Sequence, residues 1–180
     1  MKGVINKGIQ ELVVCRFGLP AWEEIRRRAG VKEELFLISE DYPDEDTMNL
    51  VRAAAEVLGL PAREVMVEFG RFWFTHVAPL LYPSYMALAG SSPEKILKNV
   101  DRIHRLVTKN IRGAEPPAFR VEETEGGGLR LHYFSTRGLC SVVRGLVESI
   151  GEYFGSSFDV VEEDCVHRGD PHCVFQVSRR

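Results

Sequence analysis

The chain contains no apolar run approaching the ~18 residues needed to cross a bilayer. Gln10 and Glu11 interrupt the apolar start from Val4 to Val14, which does not read as a signal peptide. An excess of one charge is also missing: 23 Lys and Arg against 26 Asp and Glu leave a net charge of −3. With no basic patch and no long like-charge run, neither nucleic acid nor a membrane surface is an expected partner. Internal repeats and low-complexity segments are absent as well. Cysteines number only four, Cys15, Cys140, Cys165 and Cys173. A cytoplasmic location is expected, so these are read as free or metal-bound rather than disulfide-linked. What remains is 180 residues, 44% of them hydrophobic, enough for a single domain that buries a core and a cofactor.

Apolar spacing predicts an amphipathic helix over residues 2 to 16, carrying Ile5, Ile9, Leu12 and Val13 and ended by Gly18. A short helix over Ala21 to Arg26 stops near Gly30, and Leu35 to Ile38 reads as extended or helical. Asp44 or Asp46 opens a helix through Met48, Val51, Ala55 and Leu58. Pro61 opens another with Val65, Phe69 and Trp73 in its stripe and Phe72 and His76 beside it, both ending in loop-like residues before Tyr82 to Tyr85. Ser92, Pro93 and Glu94 are a helix start, and the helix they open runs to Ile111. Beyond it Gly113 to Pro117 is a rigid connector. Phe119, Val121 and Leu129 to Phe134 alternate as strands about Gly126 to Gly128, a helix spans Gly138 to Phe154, and Phe158 to Glu163 with Cys173 to Val177 form a closing hairpin. The expected fold is α+β: one domain over residues 1–180, a mainly helical half (1–112) followed by an antiparallel sheet with packed helices (113–180).

One residue stands out in the helix from Pro93. His104 falls in line with Leu97, Val100, Val107 and Ile111, on the apolar stripe rather than among Lys95, Lys98, Asp101 and Arg105. An imidazole there is either a core histidine satisfied by a carbonyl or carboxylate, or a ligand for a metal or haem. A second stretch bears on the choice. On a strand from Leu129 to Arg137, alternation puts Leu129, Leu131, Tyr133, Ser135 and Arg137 on one face. Tyr133 and Arg137 then lie about 13 Å apart, a span suited to a ligand with more than one carboxylate.

These features resemble the haem-nitric oxide/oxygen binding (H-NOX) family, bacterial relatives of the haem domain of soluble guanylate cyclase. The similarity rests on the start Met1 to Gly8, the helix with His104, and Tyr133-x-Ser135-x-Arg137, and it runs from residue 1 to about 178. The resemblance implies haem b, with His104 as proximal iron ligand and Tyr133, Ser135 and Arg137 on the propionates. In oxygen-binding members a tyrosine donor stands five residues after the motif arginine; here that position is Val142. Ile5, Ile9, Phe74 and Ala78, which by similarity approach the same distal pocket, add no donor, so NO and CO are the expected ligands and a stable oxygen complex is not. Ile5 and Pro117 would press on the haem edges. The implied function is a bacterial NO sensor rather than an enzyme: NO weakens or breaks the iron–His104 bond and the shape change regulates another protein. Nothing after Arg180 is left to serve as effector, so a partner in trans is implied, such as a histidine kinase or a cyclic-di-GMP enzyme.

A separate group is Cys165 and Cys173, with seven residues between them on the closing hairpin, and Cys140 upstream. They suit tetrahedral zinc, although the gap is longer than ordinary finger spacing. Some family members bind zinc here with a histidine three residues before the first hairpin cysteine; in this chain that position is Glu162, leaving Glu162, His167 or His172 as fourth ligand. The alternatives to a gas sensor are a zinc- or thiol-based redox regulator on these cysteines and, less favoured, a haem enzyme. His76 is the residue an acid–base role would need, and its place beside Phe72 and Trp73 argues against that.

Overall fold

The computed structural model describes all residues from Met1 to Arg180. The amino-terminal part is helical: α1 (Gly3–Phe17), α2 (Leu19–Ala29), α3 (Asp44–Leu58) and α4 (Ala62–Phe72). Gly18 (φ 84°) and Gly30 (φ 70°) close α1 and α2 in conformations that disfavour side chains. Asp44, Glu45 and Asp46 sit in the first turn of α3, where the helix dipole favours negative charge. Between α2 and α3, residues Leu35 to Ile38 form neither helix nor strand. Only Phe36 is buried there, against the rings of Trp22 (6.3 Å) and Tyr42 (5.2 Å), while Leu35, Leu37 and Ile38 are exposed.

The helix opened by Pro61 does not end in a loop as expected. It passes from α4 into a π-helical turn, Trp73–Val77, and then α5 (Ala78–Leu81); the chain breaks direction only at Tyr82, ahead of α6 (Pro83–Ala89). The helix with His104 is α7 (Pro93–Thr108), and its start is as read: Pro93 lies in the first turn and Ser92 Oγ accepts from the amide of Lys95 at 3.3 Å. It stops at Thr108, leaving Ile111 in a following turn.

The rest is α+β as expected. Strands β1 (Ala118–Glu123), β2 (Leu129–Phe134), β3 (Phe158–Asp164) and β4 (Cys173–Arg179) form one antiparallel sheet in the order β1-β2-β4-β3, with α8 (Cys140–Tyr153) inserted after β2. The buried side chains form two cores. One joins the first four helices through Ile9, Leu12, Ile25, Leu50 and Phe69; the other joins sheet and α8 through Leu131, Val147, Phe175 and Val177. Phe74, Ala89, Ile96 and Leu97 belong to the second core, so α7 packs with the sheet. The two cores meet where α4 crosses α8. A Cβ on Gly70 would collide with the carbonyl oxygen of Val142, and one on Gly145 with that of Val67, so glycine on each helix permits the approach. Arg71 on α4 pairs with Glu148 on α8 at 2.7 Å beside this crossing. No helix is long and apolar enough to cross a membrane.

Candidate functional site

The apolar stripe of α7 faces a cavity rather than solid core. Leu97, Val100, His104, Val107 and Ile111 all line a space of about 310 Å³ closed by α1, the π-helical turn, α8 and the β1–β2 hairpin. Its walls are predominantly hydrophobic, and its volume lies in the range of small-molecule and cofactor sites. His104 Nδ1 is 2.9 Å from the carbonyl oxygen of Val100. A carbonyl only accepts, so Nδ1 carries the proton and the lone pair stays on Nε2. Burial pushes the pKa of His104 below its ordinary value, which keeps the ring neutral. The reading of a core histidine satisfied by a carbonyl is met at Nδ1, while Nε2 has a lone pair of the kind a metal takes.

Tyr133, Ser135 and Arg137 border the same cavity. The strand ends at Phe134, so Ser135 and Arg137 are not on its face; they turn back instead, with Ser135 Oγ accepting from the amide of Arg137 at 3.2 Å. Arg137 donates through Nε to Asp44 Oδ2 at 2.8 Å, through Nη1 to the Glu115 carbonyl at 2.8 Å, and reaches Glu115 Oε2 at 3.4 Å. Burial alone would push the Asp44 carboxyl up, but the amino group of Met1 and the Arg137 guanidinium outweigh it and hold the pKa below the usual carboxylate value. Burial raises the Tyr133 phenol.

Ile5, Phe74, Ala78, Pro117 and Val142 line the cavity. Ile9 does not. It borders an adjoining apolar cavity of about 50 Å³, which shares Ile5, Phe69, Leu139 and Val142 with the larger one. The π-helical turn helps place Trp73 and Phe74 along the wall, a use in keeping with such turns at functional sites. His76 is exposed, stacked on Phe72 at 4.4 Å and hydrogen-bonded to Thr75 at 2.7 Å, and is not among the residues lining the cavity.

The sequence reading passed over three residues of the wall. Lys2 Nζ donates to Asp41 at 2.9 Å and to the carbonyl of Arg112 at 2.6 Å, tying the chain start to the turn after α7. Tyr82 lines the cavity from the break between α5 and α6, and burial raises its phenol. Phe119 stacks on His104. Only its alternation on β1 marked Phe119 in the sequence, and that signal fits any inward-facing strand residue.

The cysteine group assembles as well. Donor atoms of Cys140, Glu162, Cys165 and Cys173 all lie within 4.8 Å of one another. The Cys165 sulfur is 3.7 Å from that of Cys140 and 4.0 Å from that of Cys173. The sulfurs of a tetrahedral zinc site with ~2.3 Å bonds lie ~3.8 Å apart, close to these two separations. Of the three candidates for a fourth ligand, Glu162 is in place, though Arg168 (3.4 Å) and Arg63 (3.6 Å) also engage it. His167 Nε2 is bonded to the carbonyl of Gly138 at 2.8 Å and His172 Nε2 to His132 at 2.9 Å, so neither joins the cluster. Cys15 stands apart and is exposed.

An apolar cavity with a neutral imidazole on one wall and a guanidinium, a phenol and a hydroxyl at one edge fits a flat, largely apolar cofactor that bears carboxylates and a ligand-seeking metal. Haem has those properties. The family model for haem-NO-binding domains matches residues 2–162. Soluble guanylate cyclase gcy-37 of Caenorhabditis elegans is 33% identical over 151 residues, covering 82% of this chain and 21% of that protein. The soluble guanylate cyclase beta-2 subunit of Rattus norvegicus is 31% identical over 123 residues, 64% of this chain and 18% of that subunit. The chain thus spans a minor part of these curated relatives. Among solved structures, an H-NOX protein from S. oneidensis in the Fe(II)NO ligation state superposes with a TM-score of 0.91 at 21% identity, covering 100% of this chain and 99% of that one. The Fe(II) unliganded H-NOX protein from K. algicida gives 0.86 at 24% identity, covering 100% and 97%. The chain belongs to the haem-NO-binding, or H-NOX, family, whose members are haem-based gas sensors.

Proposed function

We propose that this chain senses nitric oxide with a ferrous haem b ligated by His104. A haem held by His104 would supply an iron able to take NO or CO, and NO would weaken the hold of His104 on it. The observation that carries the reading is the hydrogen bond from His104 Nδ1 to Val100, which together with burial leaves a neutral imidazole with its Nε2 lone pair free at the cavity wall. Tyr133, Ser135 and Arg137, which line the same cavity, would take the propionates. The propionates then compete with Asp44 and Glu115 for the Arg137 guanidinium. Ile5, Phe74, Ala78 and Val142 offer a gas no hydrogen-bond donor, and Ile5 and Pro117 would pack against the haem.

The chain's own contacts supply a route from the site to the surface. Arg137 joins the sheet half to α3 through Asp44, and Lys2 joins the chain start to the end of α7 through Arg112. Displacement of His104 or of Arg137 therefore alters contacts made by α1, α3 and the Gly113 to Pro117 connector, which changes the surface offered to a partner. That partner is a signalling protein in trans, such as a histidine kinase or a cyclic-di-GMP enzyme, and the domain itself performs no catalysis. One zinc ion on Cys140, Cys165, Cys173 and Glu162 staples β3, β4 and α8. Replacing His104 with Gly tests the core of the reading. The ferrous protein should lose its protein-derived axial ligand and recover a wild-type-like spectrum with added imidazole; a wild-type spectrum without imidazole rejects the assignment.

A further inference from the structure

Phe119 touches both ends of the proposed site. Its ring stacks on the His104 imidazole with centroids 5.3 Å apart and planes 28° apart. It also meets Tyr133, its partner in the β1–β2 register, at 5.3 Å and 43°. The backbone of Phe119 is tied to α7 too, its amide donating to Asp101 Oδ1 at 2.9 Å. β1 is an edge strand, and this amide bond hands one of its unpaired edge groups to the helix. Asp101 lies one turn before His104, so a single turn of α7 holds β1 by its backbone while the histidine rests on the side chain that follows from it. Lys98, one turn further back, pairs with Glu123 at the far end of the same strand.

A ring hydrogen-bonded only at Nδ1 keeps freedom to tilt about that bond. A flat aromatic neighbour against its face removes that freedom. We propose that Phe119 is a positioning residue for His104: it sets the plane of the imidazole in the cavity and, with Asp101, couples movement of that ring through edge strand β1 to Tyr133 on β2. This rests on the reading of His104 as axial ligand and adds the element through which displacement of His104 reaches the propionate motif. Loss of the hydrogen-bonded partners that orient a metal-ligating histidine typically costs ~10–100-fold in metal affinity or activity, which sets the scale of the expected effect.

The test uses the haem-loaded protein. In Phe119→Leu the iron–histidine stretching band of the ferrous state should fall in frequency, and NO should detach His104 at least ~10-fold faster than in the wild type. Phe119→Tyr, which keeps the flat ring, should restore both values. Asp101→Asn retains an oxygen to accept from the Phe119 amide and should stay near wild type, whereas Asp101→Ala should shift in the direction of Phe119→Leu. A purely structural role would lower stability without this order among the four variants. Wild-type band and rate in Phe119→Leu overturn the proposal. If that variant does not hold haem, NMR of the diamagnetic wild-type CO complex decides: magnetisation transfer between ring protons of Phe119 and His104 supports the proposal, and its absence overturns it. Failure of the axial-ligand reading shows separately, as a wild-type protein with no iron–histidine band.

Discussion

Gly70 on α4 lies against the carbonyl oxygen of Val142 on α8, with no room for a Cβ between them. The same Val142 lines the cavity, so the helix crossing and the cavity share one wall. In an isolated helix, Gly→Ala would stabilise by about 1 kcal/mol. Here the methyl meets backbone that cannot rotate away, and overpacking of that kind costs about 1–3 kcal/mol. Gly70→Ala should therefore lower the urea midpoint of the protein. An unchanged or raised midpoint would mean that the crossing relaxes without strain.

The pairing of Asp44 with Arg137 predicts an acid-sensitive contribution to stability. The folded-state pKa of Asp44 lies below its ordinary value, so the unfolded chain binds more protons as pH drops. The contribution is complete above the ordinary carboxylate pKa and is lost as pH falls through the folded value. Asp44→Asn should flatten that part of a pH series of denaturant unfolding and leave the neutral-to-alkaline part parallel to wild type. An identical acid limb in the variant contradicts the role of the pair.

Much of this was legible in the sequence, and what was missed has a physical cause. Ser92 and Pro93 marked the start of α7 because capping is local, and the 3–4 spacing of its stripe marked the face that carries His104. Periodicity did not distinguish a stripe that lines a cavity from one that fills a core, since both need the same apolar residues. The end of β2 at Phe134 escaped because Ser135 and Arg137 continue the alternation after the chain has left the sheet. Similarity grouped Ile9 with Ile5, but spacing along α1 does not tell which of two adjoining cavities a residue borders, and Ile9 borders the smaller. The contacts that define the site's rim, Lys2 with Arg112 and Arg137 with Asp44, join residues 110 and 93 positions apart and have no local signature.

The cysteine cluster predicts about one zinc per chain by elemental analysis. Replacing Cys165 and Cys173 with Ser should remove it, and Glu162→Ala should weaken it, because Glu162 is the candidate fourth donor that lies within the cluster. A protein free of zinc with titratable thiols at Cys140, Cys165 and Cys173 would favour the thiol redox reading.

Ile5, Phe74, Ala78 and Val142 carry no side-chain donor, and their place on the cavity wall predicts the gas preference. The ferrous protein should bind NO and CO without forming a stable oxygen complex, and Val142→Tyr should confer some oxygen binding. A long-lived oxygen complex in the wild type contradicts this. If Tyr82→Phe abolished that complex, the phenol lining the cavity would be its source.

The central claim is that NO acts by separating His104 from the iron, and the absorption spectrum of the ferrous protein under NO tests it most directly. The predicted result is a five-coordinate spectrum with NO and a six-coordinate spectrum with CO. A stable six-coordinate spectrum with NO, in which the histidine remains bound, would contradict it.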